Sequence, residues 1–369
     1  MNQISLCMIV KNEESTLELC LSSIAPFVDE IIIIDTGSED RTKEISFRYT
    51  DKVYDYVWKN DFAAARNYSI HKAENEYILI LDSDEIVESV DMDSIKELIA
   101  KNMNKIGRLL RISEFTTQGI SHKFRERINR LFSKRYYHYE GIIHEQVMPG
   151  GSEKEEADTE DKKVLQLNQG TAIYDSSYHI PLTIRHSGYE GALNVRKKKT
   201  ERNITLLTAS LQQQPDDPYL LYQLGKSYYM EEDYENSYKF LGQALYADLD
   251  VRLEYVRDLV ESYGYSMINS GQYEEALQML NIYDIFAYSA DFIFLIALIL
   301  MNNGRFQEAI QEFLKAAEKP ECKIEGVNDY LAYYNIGVIY ECLGEKEEAK
   351  RNYMKCKDYD LAILRLSEI

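Results

Sequence analysis

The sequence predicts an α/β domain with a mostly parallel sheet, followed by an all-α domain of helical repeats. Three observations lead to this prediction. Strand and helix patterns alternate over the first hundred residues. Several of these strands are continuous apolar runs, which are typical of parallel sheets covered on both faces. After about residue 205, similar segments recur, with glycines at spacings of 33 and 40 residues, the range of helical repeat proteins.

The composition is that of a globular protein. The chain has 369 residues, 45% of them apolar, enough for more than one packed core. A net charge of -20 argues against binding to nucleic acid or to anionic membranes. The five cysteines form no Cys-x-x-Cys pair, the stretch ISLCMIV is interpreted as a strand rather than a leader, and no apolar run is long enough to span a membrane. We therefore expect a cytoplasmic protein with reduced thiols, no membrane span and no nucleic-acid partner.

The first domain is predicted over residues 1–205. Its opening elements are the strand ISLCMIV, the helix NEESTLELCLSSIAPF, the strand and helix of EIIIIDTGSEDRTKEIS, the strand KVYDYVWK, the helix FAAARNYSIHKA and the strand YILIL. Less regular strand candidates follow in RLLRIS, RINRLF and LTIRH, and GGSEKEEADTED is interpreted as an exposed loop. Open α/β sheets bind ligands at the carboxyl ends of their strands, where VKNEES and DSDE fall.

The second domain is predicted over residues 206–369. The segments EEDYENSYKFLGQAL, SGQYEEALQMLNI, NGRFQEAIQEFLKAA and LGEKEEAKRNYMKC share a turn, a long or aromatic residue and an apolar stripe. This pattern predicts four tetratricopeptide-like repeats, which stack into a solenoid with a concave face. Such a surface can recognise an acceptor or form a homodimer. Its many tyrosines are assigned to packing between helices rather than to a site.

Two carboxylates, Asp82 and Asp84, directly follow an apolar strand. In an extended strand end they point to the same side, and two oxygen ligands at that spacing suit Mg²⁺ or Mn²⁺ completed by water and a diphosphate. The alternative is an acidic turn that caps a helix at DEIVESV. Both interpretations stay open from these residues alone.

The motifs taken together resemble the family 2 glycosyltransferases of GT-A fold. The resemblance lies in CMIVKNEES, IIIIDTGSEDRT, WKNDFAAARNYSI and LDSDE, and downstream in RLFSKRYYHYEGIIHEQV and LTIRHSGY, which resemble a subgroup with C-terminal tetratricopeptide repeats. A weaker, local likeness of KNDFAAARN and TERNITLL is to the S-glycosyltransferases that modify bacteriocins of the sublancin type. The family implies a nucleotide-sugar donor and an inverting transfer.

The resemblance also implies where the donor binds. It places Asp35 and Arg66 at the nucleobase and diphosphate, and Val10 and Glu13 along the same pocket. A carboxylate can accept hydrogen bonds from a uracil or ribose, and a guanidinium can pair with phosphate. The alternatives are that Asp35 caps the next helix and that Arg66 is a solvated helix residue.

Glu145, in GIIHEQ, matches the position where the fold places its catalytic base. An inverting transfer needs a base, because the acceptor hydroxyl or thiol must lose its proton as it attacks the sugar. His186, in IRHSGY, matches a histidine that completes the metal site, and imidazole with two carboxylates suits Mn²⁺ at least as well as Mg²⁺. The alternative is that His186 lies in the core or anchors a loop. His144 is an alternative third ligand or a loop-orienting residue.

A basic cluster, Arg125, Arg127 and Arg130, lies near these motifs. On a strand, alternate residues share a face, so Arg125 and Arg127 can project together toward a phosphate or an acidic acceptor. A solvated face is the alternative. We assign Arg130, with Asp82, to the donor site.

The function expected from the sequence is a metal-dependent, inverting transfer of a hexose from a UDP-sugar, with UDP-glucose as the default, to Cys or Ser of a peptide. Transfer to a cell-envelope glycan precursor is an alternative. A non-catalytic repeat scaffold with a nucleotide-sugar-binding domain is another. A sugar nucleotidyltransferase would need a glycine-rich loop after its first strand, which VKNEES lacks.

Overall fold

The computed structural model describes residues 2–117, 120–150, 177–186 and 193–369. The chain forms two compact units, one of residues 1–121 and 125–206 and the other of residues 122–124 and 207–369. Residues 151–161 of the expected exposed loop lie outside the described residues, as do Gly188 and Tyr189, the last two residues of the motif LTIRHSGY. In the described part of the chain, no helix is both long and apolar enough to cross a membrane.

The first unit contains a large twisted sheet and a separate hairpin. Its strands are β1 Ile4–Val10, β2 Glu30–Asp35, β3 Val53–Asp55, β4 Tyr77–Ile80, β5 Glu85–Val90, β6 Ile106–Thr117, β7 Ile120–Ser133, β8 Tyr137–Glu140, β9 Gln146–Pro149 and β10 Ser177–His186. Its helices are α1 Leu17–Ile24, α2 Thr42–Ser46, α3 Phe62–Lys72, α4 Met92–Lys101 and the start of α5 Leu193–Gln213. The predicted alternation of strands and helices is confirmed.

The strand order of the large sheet is β3-β2-β1-β4-β7-β6-β10-β5. Strands β3, β2, β1 and β4 run parallel, and β6 and β10 form a second parallel pair. Strands β7 and β5 run antiparallel to β4 and β10. The predicted mostly parallel sheet is therefore correct.

Strand β2 shows why its apolar run is continuous. Ile31 and Ile33 pack in the core on one face of the sheet, and Ile32 and Ile34 pack in the core on the other. A strand buried on both faces has no polar side to alternate with, so the sequence lacks a period of two.

The segment DEIVESV forms strand β5, so the helix considered there is wrong. Its β-branched residues Ile86, Val87 and Val90 favour an extended backbone. The strand pairs antiparallel with β10, whose His186 lies opposite Glu85. A partner this distant in the chain leaves no local signal in the sequence.

Strands β8 and β9 form a two-stranded hairpin that carries Glu145 in its connection. The connection turns at Gly141, with a φ of 101°, and at His144, with a φ of 52°. It is attached to α3 because the backbone N–H of Phe62 donates to the carbonyl of Ile142 at 2.9 Å.

The second unit is helical. Its helices are α6 Pro218–Met230, α7 Tyr234–Ala244, α8 Glu254–Asn269, α9 Tyr273–Ala276, α10 Tyr283–Phe286, α11 Ala290–Asn302, α12 Phe306–Ala317, α13 Tyr330–Cys342, α14 Lys346–Met354 and α15 Asp360–Glu368. Antiparallel pairs follow one another along the chain, as the repeat pattern predicted.

The turns within the repeats share one backbone geometry. Gly271, Gly304 and Gly344 have φ angles of 77°, 71° and 78°. In each turn the residue after the glycine donates its N–H to a carbonyl five positions earlier, which ends the preceding helix. The first repeat makes the same hydrogen bond from Asp233 to Tyr228, but its left-handed residue is Glu232, with a φ of 60°.

Candidate active site

The candidate site lies where β1, β2 and β4 end. Val10, the last residue of β1, is paired in register with Asp35, the last residue of β2. Asp82 follows β4, which is the other neighbour of β1. Because these strands are parallel, their carboxyl ends lie at one edge of the sheet, as predicted.

Two loops at this edge hold each other through short polar side chains. Asn12 donates its N–H to Oγ of Ser38 at 2.9 Å, and its own Oδ1 accepts from the N–H of Glu39 at 2.8 Å. The N–H of Glu13 donates to Oγ1 of Thr42 at 2.7 Å. These bonds fix the backbone on which the Glu13 side chain is carried.

Asp35 is completely buried. Its Oδ1 accepts from the N–H groups of Gly37 and Ser38, both at 2.9 Å, so Asp35 shapes this turn and does not cap α2. A different residue, Asp40, accepts from the N–H of Thr42, the first residue of α2. The other oxygen of Asp35, Oδ2, is buried and has no hydrogen-bond partner among the described residues.

Arg66 lies on α3 and is 6% exposed, so it is not the solvated helix residue of the alternative. Its Nη2 lies 2.7 Å from Oδ1 of Asp82, and its Nε donates to the carboxylate of Glu145. Its Nη1 is buried without a hydrogen-bond partner in the described part of the chain. One arginine therefore joins the end of β4 to the hairpin loop of Glu145.

Arg130 of β7 completes the pairing of Asp82. Its Nη2 lies 2.8 Å from Oδ2 of Asp82 and 2.8 Å from Oε1 of Glu85. Burial works against ionisation of Asp82, but the guanidiniums of Arg130 and Arg66 outweigh it and hold its pKa well below the usual range. A solvated position for Arg130 is thus excluded, whereas Arg125 on the same strand is exposed.

Glu85 is a residue of this site that the sequence analysis left without a role. It is completely buried, and its Oε2 accepts from the backbone N–H of Asp82 at 2.9 Å. Burial raises the pKa of Glu85, opposed by Arg130 and assisted by the nearby charge of Asp82. The carboxylate holds both the turn of Asp82 and the guanidinium of Arg130. The third acid of LDSDE was the only signal in the sequence.

Asp84 and His186 face each other, as the metal prediction requires. His186 Nε2 lies 3.5 Å from Asp84 Oδ2, and the other ring nitrogen, Nδ1, lies 3.4 Å from Oγ of Ser113. An imidazole fixed through one nitrogen, with a carboxylate at the other, is a donor pair typical of divalent metals.

The predicted set of three ligands does not assemble. Both oxygens of Asp82 are engaged by Arg66 and Arg130. No three His, Cys, Asp or Glu side chains are grouped to hold a metal ion in the described ranges. The arrangement fits a divalent ion held by Asp84 and His186, with the remaining positions filled by water and substrate oxygens.

Two models of known families match the chain. The model described as glycosyl transferase family 2 matches residues 5–150, and the tetratricopeptide repeat model matches residues 290–318 and 330–362. The first unit carries a family 2 glycosyltransferase domain. The predicted combination with C-terminal tetratricopeptide repeats is confirmed.

Similar proteins include two curated relatives. A TPR repeat-containing protein of Synechococcus elongatus is 27% identical over 94% of this chain and 72% of its own length. The glycosyltransferase SunS of Bacillus subtilis is 27% identical over 64% of this chain, and that match spans about half, 52%, of SunS. Among solved structures, the tetratricopeptide protein YrrB is 19% identical, with a TM-score of 0.40 over 48% of this chain and 90% of YrrB.

Within the glycosyltransferase domain, the charged side chains of the candidate site form two groups. Asp82, Glu85 and Glu145 are paired with the buried guanidiniums of Arg66 and Arg130. The Glu145 side chain is 11% exposed. His144 lies in the same loop, and its role as a third metal ligand stays a prediction.

The second group of charged side chains includes Lys199 of α5, to which the sequence pattern assigned no role. Its Nζ lies 3.4 Å from Oδ2 of Asp84. Burial raises the pKa of Glu13, while Lys199 and the hydroxyl of Thr16 oppose that shift. The basic run at 196–199 was the signal in the sequence, but such runs more often form solvated helix faces.

Proposed function

We propose that this protein is an inverting glycosyltransferase that moves a hexose from a UDP-sugar to Cys or Ser of a peptide. The observation that carries the proposal is the double contact of Arg66 with Asp82 and Glu145. It joins the strand end expected to bind the donor to the residue expected to act as base. A base beside the donor site is what transfer to an acceptor requires.

The nucleoside end of the donor would bind at Asp35. Its buried Oδ2 has no hydrogen-bond partner among the described residues, and such an atom is costly unless a ligand supplies a donor. A uracil or ribose donor group would meet this need. The neighbouring Val10 and Glu13 would line the same pocket.

Transfer would proceed with Glu145 as the base. The acceptor oxygen or sulfur attacks the anomeric carbon and loses its proton to the Glu145 carboxylate. The bond from that carbon to the β-phosphate oxygen breaks, and its electron pair leaves with UDP. Arg66, in contact with Glu145, holds the carboxylate in place before the proton arrives.

A divalent ion would be held by Asp84 and His186. When bound, it neutralises charge that builds on the leaving diphosphate. The side chain of Ser113 holds the His186 ring, which fixes the nitrogen that faces Asp84.

A peptide acceptor is supported by two features. The concave face of stacked repeats suits an extended or helical peptide. The sequence also resembles, locally, the S-glycosyltransferases that modify bacteriocins. UDP-glucose is the simplest donor with which to start the assays.

The test is calorimetric titration of the full chain with UDP, with and without Mn²⁺. Binding that Mn²⁺ strengthens, and that Asp84→Asn makes insensitive to Mn²⁺, supports the donor and metal sites. A matched control is Asp93→Asn, which changes an exposed carboxylate on α4. Absence of UDP binding would overturn the choice of nucleotide. Transfer from UDP-glucose to Cys and Ser peptides, with a β-linkage established by NMR, tests the acceptor and the inversion.

A further inference from the structure

Helix α5 presents two cations to the active site of the glycosyltransferase domain. Lys199 and Arg202 are three positions apart, so they lie on one face of the helix. Lys199 Nζ lies 3.4 Å from Asp84 Oδ2, the same oxygen that His186 Nε2 approaches to 3.5 Å. Lys199 therefore reaches the side of the site where the diphosphate is expected.

Arg202 lies toward the side of the site that carries the Glu145 loop. Its guanidinium is 5.1 Å from the ring centre of Phe62, whose backbone is bonded to the loop of Glu145. It is attracted electrostatically by Glu145 and Glu13. Its hydrogen bonds go to the neutral amide oxygen of Asn203, and none of the ion pairs within the described ranges includes it.

These two cations differ from the buried arginines. Arg66 and Arg130 each pair with two carboxylates, at less than 10% side-chain exposure. Their charge is largely offset before any substrate arrives. Lys199 is 43% exposed at its side chain, its contact with Asp84 is long at 3.4 Å, and Arg202 is exposed. Lys199 and Arg202 therefore carry charge that is available to an incoming anion.

We propose that Lys199 and Arg202 bind the diphosphate of the donor and of the leaving nucleotide. As the sugar bond breaks, the electron pair stays on the β-phosphate oxygen, and the two cations neutralise the charge that develops there. Lys199 would exchange its long contact with Asp84 for a phosphate oxygen. Arg202 supplies the planar guanidinium that suits paired phosphate oxygens. This inference rests on the proposed donor being a nucleoside diphosphate sugar.

The experiment compares three probes on the full chain: uridine, UDP and inorganic pyrophosphate. Calorimetric titrations are run on the wild type, Lys199→Met, Arg202→Met and the control Lys198→Met, which removes an exposed lysine from the same helix. We expect each of the first two changes to weaken pyrophosphate and UDP about tenfold to a hundredfold, the range for charge-assisted hydrogen bonds. Uridine binding should be unchanged in all variants.

Three results would overturn the proposal. The first is a wild type that does not bind pyrophosphate, and the second is a pair of variants that bind it as the wild type does. The third is an equal loss of affinity for uridine and UDP, which would mean that the substitutions deform the pocket. If the wild type binds UDP no more tightly than pyrophosphate, the proposal that the donor is a uridine nucleotide is wrong. The binding of pyrophosphate to the wild type and the variants still tests the role of Lys199 and Arg202 in that case.

Discussion

Arg66 donates a hydrogen bond to the carboxylate of Glu145, which lies 79 positions further along the chain. From this pair we predict that Glu145 removes the proton of the acceptor and contributes little to the affinity for the donor. Glu145→Gln keeps the shape and a hydrogen-bond acceptor for Arg66 but removes the base. We expect the transfer rate to fall by about 10² to 10⁴, with UDP affinity close to that of the wild type.

The measurement for Glu145→Gln is the single-turnover rate beside UDP binding by calorimetry. Glu140→Gln is the control, because Glu140 is an exposed carboxylate on the adjoining strand β8. Retention of the wild-type rate by Glu145→Gln would assign the base to another residue.

The contact of Arg130 with Glu85 predicts a large effect on stability. Arg130→Met leaves the completely buried Glu85 carboxylate without its close partner, although Arg111 remains 3.7 Å away. Breaking a buried ion pair from one side costs about 3 to 5 kcal/mol, and we expect the lower end because Arg111 compensates in part. Urea denaturation followed by fluorescence of Trp58 reports on the first unit.

A second substitution separates charge from packing at this pair. In Arg130→Met with Glu85→Gln, the unpaired charge is gone, so stability should recover relative to Arg130→Met alone. Arg125→Met, at an exposed position of β7, should change little. No recovery in the double variant would mean that the arginine acts by filling space.

From Glu261 of the second, helical unit we predict that the stability of the protein depends on pH near neutrality. Burial raises its pKa to about 7, opposed by Lys323 and assisted by Asp291 and Asp258. Its Oε1 accepts from Ser289 at 3.1 Å, and Lys323 Nζ lies 3.8 Å from Oε2. Because the folded pKa exceeds the unfolded value of 4.5, its contribution to stability is complete below about pH 4.5 and is lost as pH rises through about 7.

The check is Glu261→Gln, whose free energy of unfolding is compared with the wild type at pH 5 and pH 8. The glutamine variant should gain on the order of 3 kcal/mol relative to the wild type between these pH values. Glu274→Gln, at an exposed position, is the control. A difference between variant and wild type that is independent of pH would contradict the assignment.

Glu232 predicts a stabilising substitution. It occupies the left-handed position that Gly271, Gly304 and Gly344 occupy in the other turns. Glu232→Gly relieves a backbone penalty of about 1 to 2 kcal/mol, offset in part by greater freedom of the unfolded chain, so we expect a gain of about 0.5 to 1 kcal/mol. Thermal unfolding followed by helical circular dichroism measures it.

The neighbouring Glu231 gives the matched control for this turn. Its φ is -85°, so glycine there only adds freedom to the unfolded chain. Glu231→Gly should therefore lower the melting temperature, whereas Glu232→Gly should raise it. The same sign for both variants would show that the turn geometry has no role.

The sequence predicted the sheet well where burial is continuous. Strands such as β2, apolar on both faces, leave a signal that needs no knowledge of the partner strand. The position of Asp84 near His186 followed from the resemblance, because the residues lie about a hundred positions apart. Strand β5 was ambiguous, since its β-branched residues favour a strand only weakly and its partner β10 is distant in the chain.

The site was less predictable than the sheet. Arg66 was expected at the diphosphate, yet its guanidinium is committed to two carboxylates. Lys199 lies in a basic run, and a sequence cannot tell which member of such a run faces a pocket and which faces solvent. Three-dimensional charge pairing, rather than residue type, decides which cations remain available to an anionic substrate.

The pairing of β5 with β10 has a consequence for synthesis of the chain. Strand β5 ends at Val90, whereas the strand beside it begins at Ser177. A ribosome adding about 5 to 20 residues each second needs on the order of ten seconds to cover that interval. During this time the backbone groups of β5 lack their neighbour. We therefore expect early folding to depend on the four parallel strands β1 to β4, and the edge strand β5, which follows Asp84, to gain its neighbour late.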